Sequence, residues 1–155
     1  MLIRRVEHKD LDEILILNNQ EAKWVGLEEK SFFEDYLDIP FFYVGEENGE
    51  ITSFIMAMDQ STDYDSKNFL WFRDRVKEFY YIDRVIVKPE KRGKGVGRAL
   101  YNELMKKTKG LPITGEVSID PPNIESLKFH ERFNFKKIGE FSSDGKKLCA
   151  MYIMK

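Results

Sequence analysis

The stretch Phe79 to Val87 (FYYIDRVIV) constrains this chain most, because almost uninterrupted apolar, aromatic and β-branched sequence there runs into a glycine-spaced turn. A strand of that content must be covered on both faces, so it belongs in the middle of a sheet. Lys88-Pro89-Glu90-Lys91-Arg92 ends it, and Gly93, Gly95 and Gly97 follow at alternate positions. From Gly95 to Lys107, Val96, Ala99, Leu100 and Leu104 form an inner stripe at helical spacing, while Lys106, Lys107 and Lys109 sit where the helix dipole favours cations. Gly110 ends the helix and Pro112 follows.

The rest of the chain supplies partners for that strand. Leu2 to Val6 reads as a short opening strand, and Asp10 with Glu13 reads as a capping box opening a helix from Leu11 to Gln20. A second helix is expected over Glu28 to Leu37, stopped by Pro40. Phe41 to Glu46 and Glu50 to Met58 read as a hairpin, because Asn48-Gly49 between them tolerates positive φ at both positions. Asp59 to Val76 breaks the pattern, polar first and then aromatic; a loop followed by a helical turn or two is expected, and its aromatics either cap a pocket or close the core. Ile113 to Ile119 is a strand broken by Pro121-Pro122, and Asn123 caps a helix reaching Phe133. Phe135 to Phe141 and Lys147 to Met154 are final strands joined through Ser143-Asp144-Gly145. Hairpins and crossover helices together imply a mixed sheet with helices on both faces, in the α/β or α+β class.

The length of 155 residues suits a single domain, 1–155. Lys plus Arg (25) nearly balances Asp plus Glu (27), so a net charge of −2 offers no general attraction to nucleic acid or to an anionic membrane, and any anion site must be local. No apolar stretch approaches a membrane span or the core of a signal peptide, and one cysteine, Cys149, precludes an internal disulfide; a cytoplasmic location is expected. Cys149 itself reads as a small core residue, and no His, Cys and carboxylate cluster has metal-site spacing.

The turn after the central strand has the chemistry of a diphosphate cradle. The first turn of a helix presents unpaired N–H groups and the positive end of its dipole. Gly93, Gly95 and Gly97 let a phosphate approach the backbone of Arg92, Gly93, Lys94, Gly95, Val96, Gly97 and Arg98, and Arg92, Lys94 and Arg98 add positive charge. A plain glycine-rich turn with solvated basic residues is the bland alternative. A P-loop is excluded because Val96, not Ser or Thr, follows Gly95. A dinucleotide fingerprint needs G-x-G-x-x-G, whereas the spacing here is G-x-G-x-G, although Glu116 does lie about 20 residues downstream as that motif requires.

Two segments together resemble a known family. Arg92-x-x-Gly95-x-Gly97 is similar to the acyl-CoA pyrophosphate motif of the GNAT acetyltransferase superfamily, and Asn123-x-x-Ser126-x-x-Phe129-His130 with Phe133 and Phe135 is similar to its later helix and following strand. Tyr64 to Phe72, Tyr81-x-Asp83-Arg84-Val85 and Asp120-Pro121-Pro122-Asn123 look like a subgroup known mainly as predicted acetyltransferases. The resemblance, covering about Leu2 to Met154, implies a GNAT-like mixed, mostly antiparallel sheet of about seven strands, splayed centrally, with about four helices on both faces. It implies acetyl-CoA as co-substrate, no metal, and direct transfer to a primary amine, expected on a small molecule. Backbone near Val85, Ile86 and Val87 would bind pantetheine and polarise the thioester, Arg92 to Arg98 the diphosphate, and Asn123 and Ser126 would lie near the cofactor arm.

The chain departs from that pattern at His130, which stands where the family usually carries a tyrosine that protonates the leaving thiolate. His130 falls between Leu127 and Phe133 on the wheel and faces inward, either as a general acid or as a packed, hydrogen-bonded histidine. Asp83, Glu116 and, through a water, Tyr81 are candidates to deprotonate the amine. Strand alternation separates Asp83 from Arg84, so the two are not expected to pair. A non-catalytic acyl-CoA-binding or sensing module is the other reading, and a homodimer is compatible with either.

Overall fold

In the computed structural model, which describes residues 1–155, the chain runs β1 (Leu2–Arg5), α1 (Leu11–Gln20), α2 (Ala22–Val25), α3 (Lys30–Asp35), β2 (Phe41–Glu47), β3 (Glu50–Asp59), α4 (Lys67–Arg73), β4 (Tyr80–Val87), α5 (Val96–Thr108), β5 (Ile113–Asp120), α6 (Ile124–Arg132), β6 (Lys136–Phe141) and β7 (Leu148–Met154). The strands form one seven-stranded sheet in the order β1-β2-β3-β4-β5-β7-β6. The pairs β1/β2, β2/β3, β5/β7 and β6/β7 are antiparallel and β4/β5 is parallel. Contacts divide the chain into two compact units, one of residues 1–58 with 82–109 and one of 59–81 with 110–155.

The first unit is built on an aromatic core. Phe33 of α3 meets Phe54 at 6.0 Å and Phe42 at 6.2 Å between ring centres, with Leu11, Ile14 and Leu17 of α1 buried alongside. The β2–β3 hairpin turns at Asn48 (φ 52°) and Gly49 (φ 78°), as a two-residue turn with both central residues at positive φ requires. Asp10 behaves differently from expectation. Its carboxylate accepts from the Glu7 backbone N–H at 2.8 Å and from Arg4 at 2.8 Å, so it serves the turn before α1 rather than a box with Glu13. A helical turn that the sequence did not announce, α2, follows α1 and ends at Gly26 (φ 84°).

The second unit has two covered faces. Tyr81 pairs with Thr114, and β7 places Ile153, Met151 and Cys149 opposite Thr114, Glu116 and Ser118, so these residues share one face. The loop from Asp59 does end in helix α4, whose Phe69 and Phe72 lie 5.5 and 5.8 Å from the Tyr81 ring and are fully buried; they close the core. Trp71 rests on Gly139, where a Cβ would come within 2.8 Å of its ring. On the other face α6 packs His130 against Tyr152 of β7. Cys149 is half-buried rather than core, and burial, with the nearby Glu116 charge, pushes its thiol up to about 11.

Candidate active site

The glycine loop lies wholly within the first unit. A short 3-10 turn over Pro89–Lys91 leads into it, and Arg92 is extended (φ −73°, ψ 155°). Gly93 (φ 75°) and Gly95 (φ 83°) then take the left-handed conformation, Gly95 as the N-cap of α5. A Cβ at either glycine would meet nothing within 4 Å, so the glycines serve backbone conformation and leave the outer side of the loop open. Lys94 and Arg98 are exposed and Val96 is buried beneath the first turn, which leaves α5 opening on solvent-side N–H groups. Arg92 is more engaged than a solvated phosphate-binding cation: its Nε donates to the Val87 carbonyl at 3.0 Å and its Nη2 to Glu21. Along β4, Val85 and Val87 are half-buried and Ile86 is buried.

Asp83 overturns the alternation argument. The Nε of Arg84 donates to Asp83 Oδ2 at 2.7 Å, and both side chains are 6% exposed. Alternation fixes where each Cβ leaves the strand but not where a long, flexible arginine carries its head group. Arg84 also donates to Asn18 of α1 at 2.9 Å, approaches Glu28 at 3.5 Å, and stacks 4.7 Å from the Phe32 ring. Asp83 is therefore one member of a buried ionic cluster that ties β4 to α1 and to the segment before α3. Burial pushes the Glu28 carboxyl up, against the attraction of Arg84 and with the repulsion of Asp83.

Glu116 sits in a different setting. Tyr81 is buried, and its hydroxyl donates to Glu116, reaching the nearer oxygen closely and the farther one at 3.1 Å. The sequence singled out both residues but not this direct bond, which depends on a cross-strand register that no local pattern reveals. The parallel pairing of Tyr81 with Thr114 puts Glu116 one pleat further along the same face.

Asn123, Ser126 and His130 are brought together around α6. Asn123 caps the helix, its Oδ1 accepting from Ser126 N at 3.4 Å. The Ser126 carbonyl accepts from His130 Nδ1 at 2.7 Å, and Ser126 Oγ lies 3.3 Å from the same nitrogen. Since a carbonyl only accepts, Nδ1 is assigned the proton and Nε2 the lone pair in the neutral ring. The ring is 6% exposed, and burial pulls its pKa down against the Ser126 hydrogen bond. No group of three or more His, Cys, Asp or Glu converges as a metal site, and no helix is long and apolar enough to cross a membrane.

The sheet is mixed and mostly antiparallel, and its central strand runs through a turn into a glycine-opened helix. The model of the acetyltransferase (GNAT) family matches residues 9–135, and the chain belongs to that family. No curated protein matches by sequence. Among solved structures, Naa50 of Arabidopsis thaliana in complex with the bisubstrate analogue CoA-Ac-MVNAL is 17% identical, with a TM-score of 0.74 over 99% of this chain and 97% of that one. NAA60 of the same plant with acetyl-CoA is 15% identical, with a TM-score of 0.77 over 99% and 98%. The ribosomal-protein-alanine N-acetyltransferase of Brucella melitensis is 17% identical, with a TM-score of 0.73 over 99% of each chain.

Proposed function

We propose that residues 1–155 act as one acetyltransferase domain that moves the acetyl group of acetyl-CoA to the primary amine of a small molecule. The observation that carries this reading is the Tyr81–Glu116 hydrogen bond, which aims a carboxylate with a neutral hydroxyl partner on the face roofed by α4. The glycine loop fits the co-substrate. Its two left-handed glycines and open outer side suit a diphosphate approaching the backbone N–H groups of residues 93–98 at the start of α5. Acetyl-CoA supplies the activated thioester carbonyl when bound.

The roles of the chain's own residues follow. Backbone at Val85, Ile86 and Val87 holds the pantetheine arm and polarises the carbonyl. Glu116 takes the proton that the substrate ammonium must lose, and Tyr81 holds that carboxylate in place. The amine nitrogen then forms the C–N bond as the C–S bond breaks, the electron pair leaves with sulfur, and the second proton that the nitrogen sheds goes to the departing thiolate or to solvent. A buried neutral His130 has no Nε2 proton to give, so in this scheme the thiolate, a fair leaving group, departs without an acid from α6. Asp83 holds Arg84 in place of serving as base. A cytoplasmic location accords with the single thiol.

Calorimetric titration with acetyl-CoA, CoA and NAD, followed by turnover against a panel of small amines and peptide N-termini, tests the reading. Acetyl-CoA binding without a response to NAD, then acetylation of small amines, is the expected result. Acetylation confined to peptides would replace the acceptor class. Binding with no acetylation at all would make the chain a sensing module, and no binding would remove the co-substrate itself.

A further inference from the structure

The basic residues ahead of the first glycine are not loose. Lys88 pairs with Glu50, and Lys91 with Glu47 at 2.9 Å, so the β2–β3 hairpin grips the loop from one side. Arg92 is gripped from the other side by Glu21. Its guanidinium makes two directed contacts from adjacent nitrogens, Nε to the Val87 carbonyl at 3.0 Å and Nη2 to the Glu21 carboxylate. A planar fork held at two points has a set orientation, unlike a lysine ammonium. Glu21 is itself held. Its N–H donates to the Asn18 carbonyl at 3.0 Å, and its carbonyl accepts from Trp24 at 2.9 Å and Val25 at 3.2 Å, so it is the corner between α1 and α2. The next residue after Arg92 is Gly93, the first left-handed position of the loop.

We propose that Glu21 is a positioning residue for acetyl-CoA binding, holding Arg92 as a strut that shapes the glycine loop, so that the Arg92 side chain is not itself a phosphate ligand. The inference rests on the acetyl-CoA reading of the loop. Its consequence has a sign that charge alone would not give. Removing a carboxylate beside an anion site makes the site more positive and, by simple Coulomb reasoning, tightens anion binding. Removing a strut lets the loop sample conformations in which its N–H groups diverge, and binding weakens by the fraction of time the competent shape is lost. The strut acts before the reaction, so only the co-substrate term should move.

The test is Glu21→Gln, compared with wild type by calorimetry against acetyl-CoA and by kinetics that separate KM for acetyl-CoA, KM for the amine, and kcat. Loss of a charge-assisted hydrogen bond predicts about tenfold weaker acetyl-CoA binding, with kcat at saturation and the amine KM unchanged. Glu21→Asp should recover part of the affinity. Arg92→Lys keeps the charge but cannot be held at both points, and should weaken acetyl-CoA binding about as much as Glu21→Gln. Unchanged or tighter binding by Glu21→Gln overturns the strut, as does Arg92→Lys binding like wild type. If wild type fails to bind acetyl-CoA, the underlying reading fails; if wild type binds and Glu21→Gln binds as well, only the strut fails.

Discussion

Asp83 and Glu116 are both acidic residues on strands of the sheet interior, and the two units of the molecule give them different partners. In the first unit Asp83 accepts from a guanidinium that also engages Asn18 and approaches Glu28, so its charge is consumed in holding a buried arginine. In the second unit Glu116 accepts from the Tyr81 hydroxyl. The base role proposed for Glu116 and the structural role proposed for Asp83 rest on that difference in partner.

Substitution of each carboxylate by its amide breaks the comparison most directly. Glu116→Gln should lower kcat by roughly 10²–10⁴-fold, the range for a lost general base, with acetyl-CoA affinity and unfolding midpoint near wild type. Equal kcat would remove Glu116 from proton transfer. Asp83→Asn should do the reverse, costing on the order of 3 kcal/mol of stability by leaving Arg84 without its closest charge partner. Urea unfolding at constant slope measures it, and a variant as stable as wild type would mean that Asn18 and Glu28 suffice to hold the guanidinium.

The same contrast marks how far the sequence could be read. The strand–glycine–helix passage was legible because its chemistry is local: left-handed glycines and free N–H groups at a helix start are properties of consecutive residues. Helix α1 matched its expected span, Leu11–Gln20, and the Asn48-Gly49 turn followed from backbone preference alone. Residue pairs were not legible. Tyr81 meets Glu116 across a parallel register set by Thr114, 33 positions away from Tyr81, and Arg92 meets Glu21 from 71 positions away in the first unit's other segment. Asp83 and Arg84 were misjudged even as neighbours, since alternation governs Cβ atoms and not guanidinium heads. Helix α2 gave no signal because one turn carries no apolar period.

Tyr81→Phe sharpens the role given to the phenol. If Tyr81 only holds Glu116, its loss removes one hydrogen bond and should lower kcat about tenfold or less, well short of the loss in Glu116→Gln. The ring stays packed against Phe69 and Phe72 in the variant, so stability should change little. A loss as large as that of Glu116→Gln would make Tyr81 a proton carrier in its own right, and no loss would leave Glu116 positioned by its strand alone.

The smallest effect concerns His130, whose burial works against the charged ring. Its folded-state pKa lies below the value of 6.5 that it regains when unfolded. Above that value the ring is neutral in both states and contributes no pH dependence. As the pH falls below it, unfolded chains bind a proton that the folded protein refuses, so stability drops until the folded ring titrates as well. His130→Phe should therefore flatten the dependence of unfolding free energy on pH in the window just below 6.5, while lowering the plateau above it by about 1 kcal/mol for the lost bond to the Ser126 carbonyl. Parallel pH profiles for wild type and variant would show that burial leaves the ring unshifted; a wild type that gains stability relative to the variant as the pH falls would show a ring charged in the fold, and would return to His130 the proton that a general acid needs.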